Sequence, residues 1–336
     1  MDVSPIAWIA LIGFIVVVLV LDLFVFHRKA TVIPVKEAAG WSAVWVTLGL
    51  SFAGLLYLWQ GHVAAEEYLA GYLIEKSLSV DNIFVFALIF SYFGIPDRYQ
   101  HRVLMLGIIG ALLMRGLFIA VGAALLDAFH VTIYVFGALL LLTAYKVLRH
   151  GAAQVHPERN IVLRGLRKIV PVTDELHGQR FFIRSKGVLM ATPLFAALLV
   201  VETTDVVFAV DSIPAIFAVT EATFIVFAAN AFSLLGMRAL YFLISGAARR
   251  FRRLQTGLGI ILLGIGVKLL LTDIYKVPIW LSLSFIITVL AVTFAVSWYE
   301  TRGDRGSAKR KEAHQEELPD AGDELHPEID HSTKGS

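Results

Sequence analysis

Residues 200–217 read VVETTDVVFAVDSIPAIF, and they set Glu202, Asp205 and Asp211 in a run of valine, isoleucine and phenylalanine otherwise suited to hydrocarbon. An isolated acidic residue at the centre of a membrane helix costs about 2.5 to 3.5 kcal/mol, so three in one apolar segment need partners inside a helical bundle. Residues 66–94, EEYLAGYLIEKSLSVDNIFVFALIFSYFG, repeat the problem with Glu75 and Asp81 and add Asn82.

The rest of the chain has the same character. Of its 336 residues 57% are hydrophobic and 17% charged, and the mean hydropathy of +0.74 lies outside the range of water-soluble domains. The expected fold is all-α, a polytopic transmembrane helical bundle over residues 1–300. Its nine apolar segments are 6–26, 41–59, 68–93, 103–126, 132–148, 188–219, 222–244, 256–271 and 278–298. Residues 149–187 then form a cytoplasmic loop and 301–336 a disordered cytoplasmic tail. The N-terminus has no basic region ahead of its apolar run and no small-residue cleavage site, so it is expected to stay as the first span.

Charge orients the array. Arg28, Lys29 and Lys36 lie in one loop, Arg249, Arg250, Arg252 and Arg253 in another, and eight Arg and Lys residues between Arg149 and Lys186 in the longest. These alternate with connections bearing Glu66, Glu67 and Glu221. The positive-inside rule puts the N-terminus outside and the C-terminus in the cytoplasm, a multi-pass topology. The net charge of +2 therefore reports topology, and nucleic acid is not an expected partner. Within the long loop, NIVLRGLRKIVPVTDELHG reads as a basic amphipathic segment at lipid headgroups. In the tail, His314, His326 and His331 read as solvated.

The sixth segment has 32 residues, about 48 Å of helix against a hydrocarbon core of about 30 Å, so it is expected to tilt or break, with Pro214 as the break beside Asp211. SVDNIF (79–84) can be laid on TTDVVF (203–208), and in another register VDNI (80–83) falls on VDSI (210–213). The two segments cross in opposite directions, which is the form of an inverted repeat with its site at the repeat interface.

The five acidic residues Glu75, Asp81, Glu202, Asp205 and Asp211 face Arg115, Arg238 and Lys268 as internal bases, and Arg115 is the expected counter-charge. Structural pairing alone is the competing reading. Carboxylates, the Asn82 amide and the hydroxyls of Ser79, Thr203, Thr204 and Ser212 form an all-oxygen donor set suited to Mn²⁺, Ca²⁺ or Mg²⁺. Asn230 and Ser233 are second-tier ligand or gating candidates, and Asp22 is expected to snorkel or pair with Arg28. The chain has no cysteine, which excludes disulfides, iron–sulfur clusters and thiolate sites. HExxH, GxSxG and P-loop motifs are also missing, so no enzyme is expected.

EKSLSVDNIFVFALIF (75–90) with ETTDVVFAVDSIPAIFAV (202–219) closely resembles the TerC/Alx family of tellurium-resistance and LysE-like transporters. The resemblance implies a bacterial inner-membrane protein, links to manganese efflux, and an ion site at Glu75, Asp81, Asn82, Glu202, Asp205 and Asp211. The expected function is export of a hard divalent cation, Mn²⁺ first, by proton exchange. A Ca²⁺ exporter and a non-transporting anchor of a stress-response complex are the alternatives. No prosthetic cofactor is expected; Mn²⁺ or Ca²⁺ is the bound substrate. Membrane lipid is an expected partner, and a homodimer and cytoplasmic stress-response proteins are left open.

Overall fold

The computed structural model describes residues 3–24, 34–150, 160–173, 175–185, 187–244 and 252–316. Five helices come first, α1 (Pro5–Phe24), α2 (Val35–Gln60), α3 (His62–Tyr92), α4 (Asp97–Ala128) and α5 (Val131–His150). A short helix α6 (Ile161–Ile169) and a hairpin of β1 (Phe182–Ser185) and β2 (Val188–Ala191) follow. The chain then builds α7 (Pro193–Phe217), α8 (Thr223–Leu234), α9 (Met237–Ile244), α10 (Arg252–Leu270) and α11 (Ile279–Glu316).

Among the described residues six helices are long and apolar enough to cross a bilayer, or seven if α8 and α9 are one bent span. The protein is thus an all-α polytopic membrane bundle. Two of the nine expected spans are helical yet fall outside that count. α3 carries Glu75, Lys76 and Asp81 in its middle, and the apolar part of α10, Gln255–Leu270, is short.

α3 can hold those charges because it is the hub. It packs against α2, α7, α8, α9, α10 and α11, and has no single apolar face. A helix buried on all sides can satisfy its polar groups with neighbouring helices instead of lipid. α7 runs beside it and against α4, α5 and α6, while α5 and α10 pair along their length. The Tyr68 hydroxyl of α3 donates to the Gly49 carbonyl of α2 at 3.0 Å, fixing that pair closely.

The structure corrects several expectations. The length excess of residues 188–219 is not taken up at Pro214. Residues 188–191 leave the span to pair with β1, and α7 continues through Pro214 to Phe217. Pro214 stands in the last turn; its missing N–H removes the donor to the Val210 carbonyl one turn earlier, and the helix continues for three more residues. α3 is unbroken from His62 to Tyr92. The break falls instead in the seventh segment, where α8 and α9 meet at 43° around Gly236. Gly236 has φ +79°, the left-handed region that favours glycine, and a Cβ there would land on the Trp45 side chain of α2. Residues 301–316, the first part of the tail expected to be disordered, continue α11 to Glu316 through a run of Ala, Lys, Arg and Glu with good helix propensity, and 317–336 lie outside the described residues. Arg28, Arg249, Arg250, His326 and His331 lie outside the described residues.

Candidate cation site

Glu75 faces inward from α3, Arg115 from α4, Asp205 and Ser212 from α7, and Asn230 from α8; all five are buried. Asp205 and Ser212 are seven residues apart, two helical turns on one face. The Arg115 guanidinium joins the four helices. Its Nε and Nη2 donate to the two carboxylate oxygens of Asp205 at 3.1 Å each, a bidentate pair. Its Nη1 donates to Asn230 Oδ1 at 2.8 Å and to Ser212 Oγ at 3.4 Å, and forms an ion pair with Glu75.

A second base stands beside this cluster. Lys76 Nζ donates at 3.1 Å to the carbonyl of Ser233, in the last turn of α8, where helix carbonyls lack partners and carry partial negative charge. Ser79 and Ser233 hydroxyls meet at 3.2 Å next to it. Glu75 and Asp205 with Arg115 and the half-buried Lys76 are formally neutral as a set of four, and Glu202 lies one turn from Asp205. Lys76 was absent from the bases that sequence reasoning weighed, although it follows Glu75 directly in the middle of an apolar segment.

The six expected ligands do not all meet. Glu75 and Asp205 converge on Arg115. Asp81 hydrogen-bonds Gln255 of α10, and Asp211 accepts from Thr143 Oγ1 of α5 at 2.7 Å. Asn82 is buried in α3, and neither its Nδ2 nor Asp81 Oδ1 has a hydrogen-bond partner among the described residues. Glu202 sits one turn before Asp205, with its carboxylate over Gly110 of α4, in space a Cβ at that position would occupy. Among the described residues no three His, Asp or Glu side chains are arranged to hold a metal ion. The physical reason is spacing: residues six apart on an unbroken helix point away from one another, so Glu75 and Asp81 reach different neighbours. Asp205 and Asp211 have the same spacing and divide in the same way. The register pairing VDNI with VDSI therefore matches Glu75 with Asp205, both at Arg115. It also matches Asp81 with Asp211, which turn to α10 and α5, themselves a packed pair.

The other candidates have separate employment. The hydroxyls of Ser79, Thr203 and Thr204 donate to the carbonyls four residues earlier at 2.8, 2.6 and 2.7 Å. Arg238 of α9 pairs with Asp22 of α1 at 2.5 Å, so Asp22 is held by a helix partner and not by snorkelling. Lys268 lines a cavity of about 720 Å³ at the ends of α4, α7 and α10, with Glu67, Asp127, His130 and Asp273. At its rim His130 Nε2 lies 3.0 Å from Asp273, and the Tyr134 hydroxyl also donates to Asp273. These two hydrogen bonds hold the Asp273 carboxyl below the usual carboxylate range.

Comparison with known proteins places the same segments in a family. The model of the integral membrane protein TerC family matches residues 60–305, which takes in α3 through most of α11. An "Uncharacterized membrane protein STKORF319" of Myxococcus xanthus is 46% identical over 299 residues, covering 89% of this chain and 94% of that protein. A "Putative membrane-bound redox modulator Alx" of Escherichia coli (strain K12) is 42% identical over 313 residues, covering 90% of this chain and 97% of that protein. A membrane protein of Rickettsia bellii is 37% identical over 284 residues, covering 84% and 94% respectively. No solved structure matches.

Proposed function

The chain belongs to the TerC family of integral membrane proteins and is a multi-pass protein of the bacterial inner membrane; from that premise we propose that it is a secondary transporter exporting a hard divalent cation, Mn²⁺ foremost. The observation that carries this reading is the closure of Glu75 and Asp205, from two adjacent helices, on the single guanidinium of Arg115. A buried pair of carboxylates needs positive charge at all times. A cation arriving from the cytosol supplies it in one state, and Arg115 supplies it in the other.

The bundle crosses the membrane nine times with its N-terminus outside, so α3 and α7 run in opposite directions and belong to inverted repeats, α2 to α4 and α5 to α9. Glu202, on the face of α7 toward the cytoplasmic end, receives the cation first. Transfer to Glu75 and Asp205 displaces Arg115, which keeps Asn230 and Ser212 as acceptors. Asn82 and Asp81, a turn or two away on α3, add oxygen ligands once the helices shift. Return of Arg115 to its carboxylates expels the ion outward, and Glu202, which makes no bond to Arg115, carries a proton in the opposite direction. Oxygen-only ligation favours Mn²⁺, Ca²⁺ or Mg²⁺ over softer ions.

The test is flux in proteoliposomes for Mn²⁺, Ca²⁺, Mg²⁺ and Zn²⁺, with and without a pH gradient, comparing wild type with Asp205→Asn and Glu202→Gln. Wild type moves Mn²⁺, the Asp205 variant does not, and the Glu202 variant keeps its maximal rate with a higher half-saturating concentration. Equal, slow movement of every ion by wild type and Asp205→Asn overturns the reading.

A further inference from the structure

We propose that α6 is an interfacial helix that binds anionic phospholipid headgroups while burying a second apolar face in the lipid of the same leaflet. The inference is independent of the transport reading. At about 100° per residue the nine residues of α6 divide into three faces. Leu163 and Leu166 form the first, against the core shared by α3, α4 and α7. Val162 and Ile169, 42% and 83% exposed, form the second, which adjoins the first, while Ile161, 78% exposed, lies beside Lys168 at the helix start. Arg164, Arg167 and Lys168 form the third, on the far side from Val162 and Ile169, and all three are exposed.

A helix in water needs one apolar face, turned to the protein. In α6 the apolar arc runs past that contact, and its exposed part, Val162 and Ile169, is as branched and aliphatic as a lipid-facing surface. Its position supports the same occupant. The chain passes from α6 to the hairpin, where Val172 bridges Ala191 and Thr173 N donates to the Ala191 carbonyl at 2.9 Å; α7 then starts at Pro193. The helix is thereby held beside the first turn of a membrane span, at headgroup depth. Asn160 Oδ1 caps it, accepting from the amides of Val162 and Leu163 at 2.9 and 3.0 Å, so its start is fixed. A free phosphate or a soluble acidic protein would engage the basic face and leave Val162 and Ile169 in water. An anionic phospholipid serves both, its phosphate on Arg167 and Lys168 and its chains on Val162 and Ile169.

The chain has no cysteine, so Ile169→Cys and Arg167→Cys in the full-length protein each give one spin-labelling site. In nanodiscs of phosphatidylglycerol and phosphatidylcholine, the label at 169 should collide several-fold more with oxygen than with a water-soluble nickel chelate, and the label at 167 should show the reverse. In parallel, the Tm of wild type should rise on going from pure phosphatidylcholine to phosphatidylglycerol-containing discs. The triple variant Arg164→Gln, Arg167→Gln, Lys168→Gln should lose that rise, and the variant Arg164→Lys, Arg167→Lys should keep it. Equal nickel accessibility at 169 and 167, or an undiminished lipid-dependent rise in the triple Gln variant, overturns the proposal.

Discussion

Arg115 distributes its three nitrogens over two carboxylates, an amide oxygen and a hydroxyl, and these acceptors come from three helices, α3, α7 and α8. Arg115→Gln leaves Glu75 and Asp205 buried without their cation, a loss on the order of 3 to 5 kcal/mol for a broken buried pair. The Tm of the purified variant should fall accordingly. Added Mn²⁺ should restore much of it, since a ligand at a hundred times its Kd contributes about 2.7 kcal/mol, while wild type should shift far less. A variant that falls and does not respond to any divalent ion would leave Arg115 as a structural brace only. The identities of Glu75, Asp205 and Arg115 were legible in the sequence, because charge in an apolar segment requires a partner. Which acids share that partner was not legible. Glu75 and Asp81 look equivalent in a linear reading, and only the neighbours of an unbroken α3 separate them. Lys76 was equally visible as a charge, but its acceptor is a backbone carbonyl exposed by a helix break that side-chain patterns do not mark.

Among the elements, the joint between α8 and α9 is where the bundle departs most from its sequence pattern. Residues 222–244 read as one apolar span, and the single signal of the break is a glycine among leucines. Gly236 is required twice over, by its φ of +79° and by the Trp45 ring against it. Gly236→Ala must therefore shift either Trp45 or the backbone of the joint. It should lower Tm and abolish cation flux, and Gly236→Ala with Trp45→Ala should recover more of the Tm than Trp45→Ala alone would predict. Simple additivity of the two changes would place the constraint in the backbone alone. Gly110→Ala probes a different seam: its Cβ meets the Glu202 carboxylate and leaves the Arg115 cluster alone. Its half-saturating cation concentration should rise while its Tm stays within about 1 kcal/mol of wild type in stability terms. The sixth segment was misjudged for a simpler reason. Its length gave the correct alarm, but hydropathy cannot tell an apolar strand from the first turn of an apolar helix, and β2 is four such residues.

For the whole molecule, hydropathy and length sufficed to identify a helical membrane bundle, since hydrocarbon permits so few other solutions. Orientation rests on charge, and the cysteine-free chain makes it directly measurable. A membrane-impermeant maleimide on intact cells should label Glu221→Cys and spare Gly178→Cys until the membrane is opened; the opposite pattern would invert every step of the proposed cycle. The formal neutrality of Glu75, Asp205, Arg115 and Lys76 has an electrical corollary. A carrier that reorients with Arg115 seated moves no net charge at this depth, so voltage should leave that leg untouched. A divalent passenger adds two charges, each worth about 2.3 kcal/mol per 100 mV across the full membrane. Current should accordingly flow only when cargo moves, and an inside-negative potential should slow export unless counter-moving protons cancel it.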